Sequence, residues 1–175
     1  MRLLDRLTDW ATRAMLVCAA ALGLILSFIV CADVIGRTVF NSPLRGTPEM
    51  VSSAIVIICF MQAPYAIRSG GMIHVDFIIT HLSDRSRSIL AMLGALLGAA
   101  FFAFIVWGTW EPAINAWTEG EFEGEGAMRV PAWPARASVV LGAALATLNY
   151  FLIAIACIFA ARAGERPPAA SGSAH

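Results

Sequence analysis

The run ILAMLGALLGAAFFAFIVWGTW, Ile89 to Trp110, decides the fold. It is about 22 residues without a charge, and a helix needs about 20 apolar residues to cross the hydrocarbon core. Three more uncharged runs surround it, at Ala14–Ala32, Met50–Ile67 and Ala137–Ala161. The pattern predicts an all-α integral membrane protein with four spans, at about 14–40, 49–67, 88–110 and 134–161. Together these make one membrane domain over residues 1–161, followed by a tail, 162–175, rich in Pro, Ala, Ser and Gly and expected to be disordered. A signal peptide has an apolar region of only about 7–15 residues. The first run here is longer and carries on past Asp33 through Val34, Ile35, Val39 and Phe40, so it reads as an uncleaved helix.

Composition agrees. Hydrophobic residues make up 59% of the chain, and the mean hydropathy is +0.75. The formal net charge is zero, which gives no reason to expect nucleic-acid binding. Every basic side chain is Arg, and the distribution orients the chain. Arg2, Arg6, Arg13, Arg68, Arg85, Arg87, Arg162 and Arg166 fall on one side of the predicted spans; Arg37, Arg45, Arg129 and Arg136 fall on the other. Positive charge prefers the cytoplasmic side, so both termini are expected there. The loop with Glu111, Glu119, Glu121, Glu123 and Glu125 then faces outward, flanked by an aromatic belt of Trp107, Trp110, Trp117 and Trp133. Cys18, Cys31, Cys59 and Cys157 all lie inside spans without C-x-x-C spacing and read as buried thiols acting as small hydrophobes.

Small residues recur four apart in three spans. Span one has Ala19, Gly23, Ser27 and Cys31; span three has Gly94 and Gly98 beside Ala91, Ala95, Ala99 and Ala103; span four has Ser138, Gly142 and Ala146. Such stripes let helix backbones approach closely, and they predict a packed bundle. Asp33 and Arg37, one turn apart, predict an ion pair at the end of span one. Glu49, at the start of span two, has two readings: a carboxylate favoured by the helix dipole, or a membrane-edge acid that meets a partner. Met1–Arg13 has an amphipathic pattern that suits a lead-in lying in the membrane interface.

The polar island RSGGMIHVDFIITHLSDRSR, Arg68–Arg87, separates spans two and three. Met72, Val75, Ile78, Ile79 and Leu82 recur at helical spacing after the Gly70-Gly71 break, which predicts a short interfacial amphipathic helix. Ser83 and Asp84 suit the N-cap of the next span. His74 and Asp76 are two apart and would not face each other on a helix. His74 and His81 are two turns apart and match no metal-ligand spacing. The acidic loop lacks the ligand order of a calcium-binding loop.

No histidine falls within a span, so haem cannot be held between paired transmembrane histidines. There is no G-x-S-x-G, no P-loop and no H-E-x-x-H. No charge lies near the middle of any span, where a proton relay or ion pathway would need one. Gln62, Pro64 and Asn149 are the only polar or helix-breaking hints. The residues predict a support rather than an enzyme or a pump. A membrane anchor for a redox enzyme and a small self-sufficient exporter are the competing readings.

The order of motifs resembles a family. Glu49 opens span two, and Ala66, Arg68, Gly70 or Gly71, His74 and Asp76 close it; Pro131-Ala132-Trp133-Pro134 precedes span four, which contains Gly142. This is similar to the small membrane subunit of tripartite ATP-independent periplasmic (TRAP) transporters, the DctQ-like family, over about residues 13–161. The resemblance implies a bacterial inner-membrane complex. Its large membrane subunit carries an organic acid by an elevator motion coupled to a sodium gradient, and a periplasmic substrate-binding protein delivers that acid. The small subunit is then non-catalytic, binds no cofactor and braces the large one in the lipid. On this implication Arg68, His74 and Asp76 fix a cytoplasmic hinge, Glu49 meets a partner near the outer face, and Arg37, Arg45 and the acidic loop touch the periplasmic protein. The acidic run Glu119–Glu125 is a departure from the family pattern.

Overall fold

The computed structural model describes residues 2–42, 46–69, 84–123 and 130–163. Four helices dominate: α1 (Arg2–Val39), α2 (Thr47–Arg68), α3 (Asp84–Thr118) and α4 (Trp133–Ala163). All four are long and apolar enough to cross a membrane. Between α3 and α4, β1 (Phe122–Glu123) pairs antiparallel with β2 (Val130–Pro131). The predicted interfacial helix, His74, Asp76, Arg45 and the tail from residue 164 lie outside the described residues.

Sequence chemistry sets the helix ends. α1 closes on Gly36, whose carbonyl accepts from the N–H groups of Phe40 and Ser42 at 3.2 and 3.0 Å, and Asn41 takes a left-handed conformation with φ 50°. α2 starts after Gly46, φ 83°, with Pro48 and Glu49 in its first turn. Proline there forfeits an N–H that has no helical acceptor anyway, and a carboxylate suits the positive end of the dipole. Two expectations change. The amphipathic lead-in is no separate segment; α1 runs unbroken from Arg2 because nothing in Met1–Arg13 interrupts the helix. Span three continues through Glu111 and Pro112 to Thr118, since the proline sits within the last two turns.

The helices do not close into a compact bundle. α2 packs between α1 and α4, and α4 packs between α2 and α3, so the order across the molecule is α1, α2, α4, α3 in a single-layer row. α1 touches α4 only slightly, and α3 has its main contact with α4. The seams are made of small residues: Ala19, Ala95, Ala99, Ala135, Gly142, Ala143, Ala146 and Ala154 are buried. Large apolar side chains, among them Phe28, Leu97, Phe104, Trp107, Leu141 and Phe151, point out of the row. This inverts a soluble core and follows from the solvent: lipid costs an exposed phenylalanine nothing, while close backbone approach rewards alanine and glycine at the seams. Only 6–28% of the most apolar part of each span is buried. Three of the four cysteines, Cys18, Cys31 and Cys59, are exposed on the faces of the row, which corrects the expectation of buried thiols; Cys157 alone is buried.

Candidate functional site

Arg68, the last residue of α2, ties three helices together. Its guanidinium forms an ion pair through Nε with Asp9 of α1. Nη1 donates to Thr8 Oγ1 at 2.8 Å and to Asn149 Oδ1 of α4 at 3.2 Å. Asn149 is 2% exposed, and its Nδ2 donates across to the Pro64 carbonyl at 3.3 Å. Thr12, also buried, returns its hydroxyl to Thr8 O at 2.8 Å. A planar guanidinium with five donors suits such a junction, because it can serve several acceptors from one fixed fork. Asn149 sits midway along an uncharged run, and its amide is satisfied on both ends, as a group buried away from water requires.

About two turns along from this node α2 and α4 approach closely. Pro64 has no N–H, so the Phe60 carbonyl lacks its usual i+4 donor. Gly142 faces that carbonyl: a Cβ at position 142 would lie 2.2 Å from Phe60 O and 2.7 Å from Phe60 C. At the next seam, a Cβ on Gly98 would lie 2.8 Å from the ring of Tyr150, which stacks on Phe102 with centroids 5.9 Å apart. Gly94 has nothing within 4 Å of its hypothetical Cβ. The GALLG stripe is therefore split along its length: Gly98 packs within the chain, whereas Gly94, one turn away on the same face, is exposed.

At the opposite end, Asp33 and Arg37 form the predicted i,i+4 ion pair at 3.2 Å. Glu49 is half-buried, and its Oε2 is the buried side-chain oxygen without a hydrogen-bond partner among the described residues. Arg136, in the first turn of α4, pairs with Glu121 and donates to the Pro112 carbonyl at 2.9 Å. Ala132 N donates to Glu121 O at 2.9 Å, and Trp117 meets Trp133 edge to face at 5.0 Å. Pro131 pairs with Phe122 in the two-stranded turn. Together these contacts lash the connecting loop to the ends of α3 and α4, over a shallow pocket of about 320 Å³ lined by Trp117, Phe122, Pro131 and Trp133.

The structure thus joins Arg68 to partners the sequence reading did not assign, and places Glu49, Arg37, Pro131 and Trp133 at the far end of the row. Asp9 and Thr8 were missed because they are some sixty positions away in sequence and lie in what reads as a surface lead-in. The available signal for Asn149 was its isolation: a single amide inside a long uncharged run must find a partner. No group of three or more metal-binding side chains occurs among the described residues.

A family model described as "Tripartite ATP-independent periplasmic transporters, DctQ component" matches residues 26–161. No curated protein and no solved structure matches the chain.

Proposed function

Because the chain belongs to the DctQ component family of tripartite ATP-independent periplasmic transporters, and is thus a multi-pass small permease subunit, we propose that it is the non-catalytic brace of the large membrane subunit. The observation that carries this reading is the single-layer row. A row of four helices leaves broad apolar faces open on both sides. One face is available to a large membrane partner and the other to the bilayer.

The node of Arg68, Asp9, Thr8 and Asn149 keeps α1, α2 and α4 in fixed register, which a brace needs. In this reading both termini are cytoplasmic, and His74 and Asp76 extend the hinge that begins at Arg68. Glu49 meets the large subunit near the outer face, and Arg37, Arg45 and the acidic loop meet the periplasmic binding protein. The sodium gradient, the elevator motion and the organic acid belong to the other subunits.

The test is co-purification of the tagged chain in mild detergent, followed by mass spectrometry and transport assays in proteoliposomes. Stoichiometric recovery of a many-span membrane protein, with uptake only when both are present together with the periplasmic binding protein, is the expected result. Uptake by this chain alone, or recovery with a redox enzyme, overturns the proposal.

A further inference from the structure

The contacts across the row fix which residues share a level along the helix axes. Thr8 and Asp9 of α1, Arg68 of α2 and Asn149 of α4 are joined directly, and Tyr150, next to Asn149, packs on Gly98 of α3. These residues form one level. Gly23 against Ile58, Gly142 against Phe60 and Arg136 against Pro112 extend the same register toward the connecting loops.

The apolar bands do not follow these levels. On α1 the band is bounded by Arg13 and Asp33, and on α2 by Glu49 and Arg68. The Arg68 level is therefore where polarity begins on α1 and α2. On α3 and α4 that level is in mid-band: apolar residues continue to Ile89 and Ile158, about 13 Å further at roughly 1.5 Å per residue. At the other end the offset repeats in the same direction. Glu111 of α3 and Arg136 of α4 end their bands about 9 Å short of the level of Glu49 and about 16 Å short of that of Asp33, on the same rise.

Both edges of the apolar belt thus step the same way from the α1–α2 pair to the α4–α3 pair. We infer that the row sits in the bilayer as a leaning fence, with its helices tilted together within the plane of the row. Neighbouring helix axes lie about 8–10 Å apart, so the two pairs are separated by about 18 Å, and an 11 Å step over that distance corresponds to a tilt of about 30°. Membrane helices tilt by about 20° on average and up to about 40°. The lipid belt of this subunit is then oblique, and a partner seated on a face of the row must meet helices at that angle. The inference rests only on the chain crossing a membrane and not on the identity of a partner.

Spin-label depth measurements in phosphatidylethanolamine–phosphatidylglycerol vesicles test it, using the full chain with its four cysteines replaced by alanine. Two pairs of exposed positions share a level in the row: Trp10→Cys with Leu97→Cys, and Phe28→Cys with Ile114→Cys. The tilt predicts a crossed result. Leu97 is deeper in the bilayer than Trp10 by about 10 Å, while Phe28 is deeper than Ile114. Equal depths within both pairs mean an upright row and overturn the inference. A difference confined to the Trp10–Leu97 pair means that the bilayer is thinned locally beside an upright row, and also overturns it. Polarised infrared dichroism of the unmodified chain in the same lipids is a second reading free of substitutions; a mean helix tilt below about 15° is incompatible with the leaning arrangement.

Discussion

Gly142 stands where a single added carbon would lie 2.2 Å from the carbonyl oxygen of Phe60, the carbonyl that Pro64 leaves without its helical donor. The proline opens one strand of the α2 hydrogen-bond ladder and the glycine fills the space beside it. Its Cα–H is a weak donor of a kind that recurs at helix–helix contacts. This seam therefore depends on two residues far apart in sequence.

Gly142→Ala is expected to weaken the α2–α4 seam, because backbone rather than a movable side chain blocks the new methyl. Overpacking of this kind costs about 1–3 kcal/mol. Thermal unfolding in detergent measures it. Gly94→Ala, in open space, is the control and should leave the midpoint unchanged or slightly raised.

Gly98→Leu should be destabilising for a different reason: the new side chain meets the Tyr150 ring. A ring can be removed. Tyr150→Ala in the Gly98→Leu background should recover part of the lost stability, and a double-mutant cycle reads the coupling, about 0.5–3 kcal/mol for residues in contact. Additive losses would mean that Gly98 and Tyr150 do not meet.

Arg68→Gln should loosen α1 from α2 and α4. Buried or half-buried partners left without a donor cost about 1–3 kcal/mol. Asp9→Asn alone should cost less, since the amide can still accept from the guanidinium. Arg68→Lys is expected to behave like the glutamine variant, because an ammonium cannot serve Asp9, Thr8 and Asn149 from one fork. Cross-linking between cysteines placed on α1 and α2 reports the separation directly.

Arg136→Gln should free the connecting loop. The side chain gives up Glu121 and the Pro112 carbonyl together. The expected reading is a red shift and faster quenching of tryptophan emission as Trp117 and Trp133 lose their edge-to-face contact, with little change in helix content. Unaltered emission would show that the strand pairing of Phe122 with Pro131 holds the loop unaided.

Four helices were legible because a bilayer demands long uncharged runs, and Asp33–Arg37 because the pair is local. The order of the helices was not. A span that is apolar on every side does not mark which face meets protein, and Gly94 and Gly98 share one stripe in sequence although only Gly98 is packed. The same ambiguity hid the exposure of Cys18, Cys31 and Cys59. Arg68 was visible as a site residue from its motif, but its partners depend on how α1 and α4 align with α2, which no local pattern encodes.

The order α1, α2, α4, α3 also bears on biogenesis. As the chain leaves the ribosome, α1 and α2 can pair as a hairpin as soon as both are in the membrane. α3 emerges next and finds no comparable surface on either of them, since its partner has yet to be made. The last helix must arrive between two pieces already inserted, closing the Phe60–Gly142 seam on one side and the Tyr150–Gly98 seam on the other. A chain stopped before Trp133 would leave α3 drifting apart from the first hairpin, and it is at that stage that a membrane chaperone or the insertion machinery would have most to hold.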